Sequence, residues 1–527
     1  MSQIDVIKDV VRYEQLLRES STNHILKGEF LIRNSQDPDM KQVLGVNPKA
    51  TITNKEILGD KVMIEGEVVY VVFYLPKDEN LEEMPSNKIH SVTFTDKFAN
   101  YLDLDNDEHN IVCNVECDIE HIQADWMNER KVGINGVLDL KWEVYKSGEF
   151  EYVKDIEGKE DVQIKKKNEK INELKGQKEI DLLGKSMLKV SMEKSEIDEI
   201  LNCSMNIHKR EIKLAEDKIY IGCYCKIEVV YKGKDSKELI TLQDDVYLSK
   251  EEEMPGISSE MVNSLVLDVK NPQYAVNLDD LGESRIVNLE FSVRGRVKVY
   301  SKNQIEMLED AYSPSTNIEV QKDNKEYGAI HSITNIETVA KDNMELNSKE
   351  DRIEQIVSII ARPLLTDKII EDDKVKVEGV VKVFTVYRLV DEDLNYGISI
   401  GEVPFIAAAD IKGIKKNMNA ITKVTLEGVE GSVEGNSISI RANLGINIKV
   451  CYKLSKEYVT DIIEGPVENK EKKASITIYV VSQGDTLWNL AKKYNTTICE
   501  LDKINELEGN ENIRPGRKLI IPGRAIF

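Results

Sequence analysis

The sequence predicts a mainly β protein, built from three repeated antiparallel β-sandwich or open-barrel domains and a small C-terminal module of two strands and two helices. Three observations support this fold class. One strand-like pattern recurs three times at nearly equal spacing. Short alternating segments are separated by charged turns along most of the chain. Helical periodicity of apolar residues is clearest in the C-terminal module.

The repeat is anchored by an Asp-Lys dipeptide that leads into a strand of alternating β-branched residues. Its copies begin at Asp60, Asp217 and Asp373, which are 157 and 156 residues apart. A tyrosine lies fourteen residues after each aspartate, a β-branched aliphatic residue lies seventeen before it, and a glycine falls within the strand. These anchors are Tyr74, Tyr231 and Tyr387; Val43, Ile200 and Ile356; and Gly66, Gly222 and Gly379. A glycine inside a strand commonly marks a bulge or a close backbone approach.

Hydrophilic segments with few aromatic residues separate the copies, and we expect them to be linkers because they bury little apolar area. The near-helical spacing of Val6, Val10 and Leu17 predicts a leading amphipathic helix. The run Lys165-Lys166-Lys167 is expected to be part of a solvated linker. The predicted organisation is a helix with β-domain 1 at 1–150, a linker at 151–180, β-domain 2 at 181–305, a linker at 306–345, β-domain 3 at 346–462, a linker at 463–475 and the C-terminal module at 476–523.

Bulk properties exclude several functional classes. The formal net charge of −23 disfavours nucleic-acid or anionic-lipid binding, since either needs a concentrated basic face. No apolar run approaches the roughly 20 residues that a membrane span requires. The first residues lack the continuous apolar region of a secretory signal, so we expect the protein to stay in the cell that makes it. Seven scattered cysteines fit a reducing cytosol better than a disulfide framework.

Motifs for catalysis or for cofactors are incomplete. Gly184-Lys185-Ser186 is half of a phosphate-binding loop, but Glu179 occupies the position of its first glycine. The acidic turn at Asp103, Asp105 and Asp107 lacks the glycine and the closing glutamate of a calcium loop. No ordered histidine partner completes a zinc set around the cysteines, which we expect to be buried free thiols. We therefore predict a protein that is not an enzyme and that holds no metal and no cofactor.

The C-terminal module has a detailed local pattern. A short strand at 478–481 precedes a turn, and Asp485 is a predicted helix N-cap. Leu487, Leu490, Ala491 and Tyr494 form one apolar helical face, and Thr497 with Glu500 forms a capping-box pattern for a second helix. A closing strand follows at 519–522. The order strand, helix, helix, strand makes one compact unit.

These residues resemble the LysM family closely. The matching elements are Tyr479-x-Val481-x-x-Gly484-Asp485-Thr486-Leu487-Trp488-x-Leu490-Ala491, then Leu501-x-x-Ile504-Asn505, and finally Ile513-x-Pro515-Gly516-x-x-Leu519-x-Ile521-Pro522. The resemblance implies a βααβ fold and a groove that binds N-acetylglucosamine polymers. That groove would be lined by Gly484, Asp485, Thr486 and Leu487 on one wall and by Leu507, Asn510 and Ile513 on the other.

Each groove residue also has a purely structural interpretation. Gly484 could supply only a turn, Asp485 only a cap, and Leu487 and Ile513 only core. Trp488 lies off the centre of the apolar helical face, so we expect it to be partly exposed. Exposed tryptophan is enriched in binding hot spots, which leaves a contact role and a packing role both open for Trp488.

Three β-domains followed by LysM resemble the SipL-type spore-coat morphogenesis proteins, which combine SPOCS domains with a C-terminal LysM domain. The resemblance implies a cytoplasmic scaffold of the mother cell, at the outer forespore surface and in the spore coat. It also implies protein–protein interaction, in which LysM binds the coat-basement-layer ATPase of stage IV sporulation, with other coat proteins as further partners. The alternative is a LysM protein that binds peptidoglycan or a related glycan.

Overall fold

The computed structural model describes residues 4–34, 37–77, 89–105, 110–158, 161–234, 236, 238–270, 272–302, 304–346, 352–390, 395–465, 476–507 and 513–522. Within these ranges nearly all regular structure is antiparallel strand, and the only two helices lie in the C-terminal module. The mainly β fold class predicted from the sequence is confirmed.

Domain 1 is a sandwich of two three-stranded sheets. Its strands are β1 (Asp5–Leu31), β2 (Met40–Leu58), β3 (Lys61–Pro76), β4 (His90–Asp103), β5 (Ile111–Asn128) and β6 (Lys131–Glu157). One sheet has the order β2-β3-β4 and the other has the order β1-β6-β5. Buried side chains from both sheets, such as Val72 on β3 and Trp142 on β6, belong to one apolar core. Of the two predicted architectures, the observed one is therefore the sandwich and not the open barrel.

Domains 2 and 3 repeat this plan. After β7 (Gln163–Lys170), domain 2 comprises β8 (Glu173–Lys189), β9 (Ile197–Ala215), β10 (Lys218–Gly233), β11 (Leu239–Glu253), β12 (Val262–Val269), β13 (Gln273–Leu278) and β14 (Ser284–Ser301). After β15 (Gln304–Tyr312), domain 3 comprises β16 (Ile318–Glu345), β17 (Ile353–Glu371), β18 (Lys374–Leu389), β19 (Tyr396–Asp410), β20 (Asn419–Glu434) and β21 (Ser437–Glu464). The two sheets of domain 3 have the orders β17-β18-β19 and β16-β21-β20, as in domain 1.

The segments expected to be a leading helix and linkers are strands instead. The segment predicted to be a helix lies in β1, which pairs with β6 along its whole length. The hydrogen bonds of this 27-residue strand stabilise the extended form more than the near-helical spacing of a few apolar residues stabilises a helix. The predicted linkers at 151–180 and 306–345 contain β7, β8, β15 and β16. Their polar residues alternate with buried ones, and their backbones are satisfied by distant strands rather than by local structure. The predicted linker at 463–475 lies mostly outside the described residues.

The lysine run is likewise part of a strand rather than a solvated linker. Lys165 Nζ lies 2.9 Å from Glu309, and Lys166 lies 2.9 Å from Asp155 and 2.8 Å from Glu306. Lys167 Nζ donates to the carbonyl oxygen of Glu457 at 2.7 Å. The three lysines on β7 therefore contact acidic strands that come from all three domains.

The first and last strands of each domain pair into a long antiparallel ribbon. β1 pairs with β6 and β16 pairs with β21, whereas in domain 2 the β8–β14 ladder is interrupted and then continues as β7–β15. Each ribbon has a bulge at the same position. There the side chains of Asp155, Asp310 and Asp461 accept a hydrogen bond from the next backbone N–H at 2.9, 3.0 and 2.9 Å. The three ribbons are thus equivalent elements.

The three domains close into a ring with pseudo-threefold symmetry. β4 contacts β9, β11 contacts β17 and β19 contacts β2. Ser91 Oγ donates to the carbonyl oxygen of Leu201 at 3.1 Å, and the equivalent Thr241 Oγ1 donates to Val357 at 2.6 Å. Buried residues from every domain meet at the axis of the ring, namely Phe73, Ile89, Leu201, Leu239, Phe384, Val386, Tyr396 and Ile398. One apolar core therefore joins all three copies.

The aspartate and the tyrosine of the repeat have structural roles. Asp217 and Asp373 have positive φ angles of 56° and 61° at the turn before the central strand. Each accepts a hydrogen bond through Oδ1 from a later glycine N–H, Gly256 at 2.6 Å and Gly413 at 2.5 Å. Tyr231 OH donates to the Ser195 carbonyl at 3.0 Å, and burial raises the pKa of Tyr231 to about 12. These bonds fix the turn and the entry to the sandwich.

The strand glycines of domains 1 and 3 mark close approaches, one of the two alternatives predicted from their position, and the approaching groups are a backbone carbonyl and an aromatic ring. Gly379 pairs with Phe405, and a Cβ at this glycine would lie 2.4 Å from both the ring and the Leu364 carbonyl oxygen. Gly66 and Phe98 form the same pair in domain 1. At the equivalent position, domain 2 has Cys223 opposite Leu248. The glycine is thus replaced by the larger cysteine, and the phenylalanine opposite it by the smaller leucine.

We predict that Gly379→Ala lowers the free energy of unfolding by about 1–3 kcal/mol, because the added methyl group must displace a ring and a backbone carbonyl. Urea denaturation measures this difference. Gly428→Ala in the same domain is the control, since its nearest neighbour would lie 3.9 Å away. Equal effects of the two substitutions would contradict the predicted clash.

The seven cysteines are free, and their exposure predicts a simple labelling pattern. Cys499 is the exposed thiol, whereas burial raises the pKa of Cys113 and Cys203 to about 11 and that of Cys117 to about 12. A maleimide at pH 7 should therefore modify one thiol in the native protein and seven after unfolding, as measured by intact mass. Cys499→Ser should abolish native labelling, and label on any other cysteine would contradict the packing.

Candidate functional site

The C-terminal module is a two-stranded sheet covered on one face by two helices. Its elements are β22 (Ile476–Val480), α1 (Leu487–Tyr494), α2 (Ile498–Asn505) and β23 (Lys518–Pro522). β22 pairs with β23, with Ile478 opposite Ile520. The small core contains Val481, Leu487, Leu490, Ala491, Leu501, Leu507, Leu519 and Ile521. This is the βααβ arrangement expected from the sequence.

Polar side chains fix both helix starts. Thr486, not Asp485, is the N-cap of α1, and its side chain accepts from the Asn489 N–H at 3.1 Å. Asp485 instead accepts from the Ser482 N–H at 2.7 Å and from Tyr479 OH at 2.9 Å, so its carboxylate holds the preceding turn. The capping box between Thr497 and Glu500 is present as predicted.

The predicted groove residues divide into an exposed rim and a buried floor. Gly484, with φ +91°, and Thr486 are exposed, and Asp485 is partly exposed. Leu487 and Leu507 retain only 3% and 4% of their exposure and belong to the module core. Ile513 is half-buried against that core, and Asn510 lies outside the described residues. Leu487 and Leu507 are therefore packing residues of the module core.

Trp488 is buried by a contact with the body of the protein, contrary to the expected partial exposure. The indole Nε1 donates to Asp310 Oδ2 at 2.8 Å, and the ring lies edge-on to Tyr312 with centroids 5.0 Å apart. Only 9% of Trp488 stays exposed. Asp310 and Tyr312 lie on β15, so the helix α1 docks on the ribbon of domain 2.

Two further bonds complete this docking contact. Lys492 Nζ lies 2.6 and 2.8 Å from the two carboxylate oxygens of Asp310. Tyr312 OH donates to the carbonyl oxygen of Thr496 at 2.9 Å. Burial, aided by the negative charges of Glu500 and Asp310, raises the pKa of Tyr312, so this hydroxyl stays a donor. No local sequence pattern indicates this contact, because residues 310 and 312 lie in a segment that is predicted to be a linker.

The other face of the module sheet is mostly apolar and is exposed among the residues that the structure describes. Because the strands alternate, every second side chain points away from the helices. These outward residues, which we call the outer sheet face, include Ile476, Ile478, Val480 and Ile520, with 62%, 69%, 52% and 42% of their surface exposed. The exposed Lys518, opposite Val480, and the half-buried Pro522, opposite Ile476, lie at the two ends of this face. An exposed apolar cluster on so small a domain is typical of a protein interaction site.

Elsewhere the described residues offer little chemistry. An open cleft of about 490 Å³ between domains 2 and 3 is lined by mixed charges, including His208, whose Nε2 lies 2.9 Å from Asp245. Among the residues placed by the structure, no three His, Cys, Asp or Glu side chains cluster as metal ligands. The described part of the chain has no helix long and apolar enough to cross a membrane.

Comparison with known families agrees with this geometry. The family model described as SipL, SPOCS domain matches residues 39–127, 196–277 and 352–434, and the LysM domain model matches residues 479–522. Together the two models match more than half of the chain. The SPOCS matches span the second to fifth strands in domains 1 and 3 and the second to sixth strands, β9 to β13, in domain 2, and they omit the ribbon strands. No solved structure matches this chain.

We predict that Leu490→Asp and Leu507→Asp each unfold the C-terminal module, because so small a core tolerates no buried charge. Hydrogen exchange of the full-length chain should show loss of protection in α1 and α2 with unchanged protection in β10. Ile504→Asp is the matched control, since 42% of Ile504 is exposed. Protection of both helices in either core variant would contradict the assignment of these leucines to the core.

Proposed function

Because this chain belongs to the SipL family of sporulation proteins with SPOCS and LysM domains, we propose that it is a non-enzymatic adaptor of spore-coat assembly. In this proposal the ring of three domains is the scaffold and the LysM domain recruits a protein partner. The partner is the coat-basement-layer ATPase of stage IV sporulation. The adaptor acts in the mother cell at the outer forespore surface.

The outer sheet face is the observation that supports a protein partner most directly. Four of its exposed side chains are β-branched hydrocarbons without a hydrogen-bond donor or acceptor, and the polar side chain of Lys518 lies at one end of the face. Recognition of a hydroxyl-rich glycan needs placed polar groups, whereas a protein partner can bury an apolar patch and gain the hydrophobic free energy. Gly484 and Thr486, on the predicted groove rim, lie between the end of β22 and the start of α1 and are not part of this face.

The scaffold contributes rigidity and charge. The shared axial core and the paired ribbons hold three domains as one body, so one LysM anchor positions three SPOCS surfaces together. Several weak contacts on one rigid body raise the effective concentration of coat subunits at the anchor. The net charge of −23 keeps such a body from binding nucleic acid without specificity.

We predict that Ile478→Asp weakens binding of the purified ATPase by more than about 2 kcal/mol, as expected for the centre of an apolar interface. Ile406→Asp is the control, because this isoleucine is equally exposed, at 71%, but lies on domain 3. Binding is measured by titration with the full-length chain. Retained affinity in Ile478→Asp would remove the outer sheet face as the partner site.

Sedimentation with purified peptidoglycan separates this proposal from a glycan-binding function. The adaptor should stay in the supernatant, because the mostly apolar outer sheet face offers few hydrogen-bonding groups to a sugar chain. Co-sedimentation that is lost in Thr486→Asp but kept in Ile478→Asp would assign the groove, and not the sheet, as the binding site.

A further inference from the structure

We propose that Asp310 and Tyr312 form a reversible latch that docks the LysM domain on the ribbon of domain 2 and masks Trp488 from partners. The latch is defined by two residues of β15 and by three residues of LysM, Trp488, Lys492 and Thr496. Its existence is independent of the proposed function. The masking rests on that function, because it concerns the partner that LysM recruits.

One carboxylate organises the contact. Asp310 accepts hydrogen bonds from its neighbouring backbone N–H at 3.0 Å, from the indole of Trp488 at 2.8 Å and from Lys492 at 2.6 and 2.8 Å. The first bond orients the carboxylate at the bulge, so its remaining lone pairs face α1. Tryptophan and lysine four residues apart lie on the same side of a helix and can meet one acceptor. The sequence spacing on both partners thus fits the contact.

The latch is specific to domain 2 although the ring repeats its framework three times. Asp155 and Asp461 occupy the equivalent bulges and make the same bond to the next backbone N–H. Asp155 binds Lys166 at 2.9 Å and Asp461 lies 3.7 Å from Lys8, both within the ribbon bundle. Only Asp310 among the three reaches LysM in the described structure.

The contact is small enough to open. It depends on one carboxylate, one indole and one phenol, and 42% of the Lys492 side chain still faces solvent. Stable interfaces between separate proteins bury about 1,200–2,000 Å² in total, far more than these few side chains can supply. The covalent connection to domain 3 compensates for the small buried area of this contact, because it keeps LysM at high effective concentration beside β15.

Opening the latch would expose a side chain that suits a partner interface. Tryptophan is the residue most enriched in hot spots, and Lys492 beside it would lose its counter-ion. A partner that presents a carboxylate next to an aromatic ring could replace Asp310 and Tyr312. In the closed state this site is occupied by the chain itself, while the outer sheet face stays free.

Acrylamide quenching in a Trp126→Phe background tests the latch in the full-length chain. The two remaining tryptophans are Trp142, which is fully buried, and Trp488, so quenching reports on Trp488. Loss of a charge-assisted hydrogen bond shifts such an equilibrium by about tenfold or more. Asp310→Ala should therefore raise quenching, and Tyr312→Phe should raise it less.

Asp155→Ala and Asp461→Ala are the matched controls, since each removes the same bulge bond without touching LysM. Quenching in Asp310→Ala that equals the parent value would overturn the latch. An equal rise in all three variants would also overturn it, because the effect would then come from the bulge.

Titration of the same variants with the purified ATPase tests the masking. Asp310→Ala should bind more tightly than the parent, by a factor that follows its rise in quenching. Unchanged affinity together with increased quenching would overturn the masking and leave the latch in place. Absence of binding by the parent and by every variant would instead overturn the proposed function, whatever the quenching shows.

Discussion

The pairing of the first and last strands of each domain is the constraint on which the rest of the structure depends. These strands close the second sheet of each sandwich, and their extensions pack against one another beyond the sandwiches. Equivalent residues from the three ribbons, Val153, Leu308 and Val459, are buried together there. Tyr152, Met307 and Tyr458 repeat this arrangement one residue earlier. A domain without its ribbon would lose both a sheet and its neighbours.

A buried ion pair helps to set this arrangement of the domains. Glu14 on β1 binds Lys298 on β14 at 2.5 Å, and their side chains retain 2% and 8% exposure. Tyr300 OH donates to the same carboxylate at 3.0 Å. Burial lowers the pKa of Lys298, and the charge of Glu14 opposes that shift. Because removal of one partner would leave an uncompensated buried charge, the pair favours one relative position of domains 1 and 2.

The sequence predicts those structural features that depend on residues close together along the chain. The aspartate of the repeat is a turn residue in domains 2 and 3, and the glycine marks a close approach in domains 1 and 3. The tyrosine hydroxyl donates to a nearby backbone carbonyl in domains 1 and 2. The capping box of α2 and the core of the C-terminal module are local for the same reason. Asp485 is the instructive exception: its carboxylate holds the turn, and the adjacent Thr486 caps the helix.

The non-local features could not be read from the sequence. β7 and β15 are polar and short, and they are strands only because each satisfies the backbone of the other across more than a hundred residues. Trp488 is buried, contrary to the partial exposure expected from its place on the helix, because its indole bonds to Asp310, which is 178 positions away. Periodicity describes which side of a helix is apolar, and it says nothing of which distant carboxylate comes to lie there.

The ring has one junction that differs in kind from the other two. Domains 1 and 2, and domains 2 and 3, are consecutive along the polypeptide, and a hydroxyl group bonds across each of these junctions. Between domains 3 and 1 the equivalent residue is Ile398, which lies beside Gly45 and offers only van der Waals contact. Longer charged side chains join domains 3 and 1 instead, through the Lys368–Glu19 and Lys423–Glu116 ion pairs and the hydrogen bond from Arg362 to Asn47. The ring is thus closed by side chains alone on the side where no peptide segment connects the neighbouring domains.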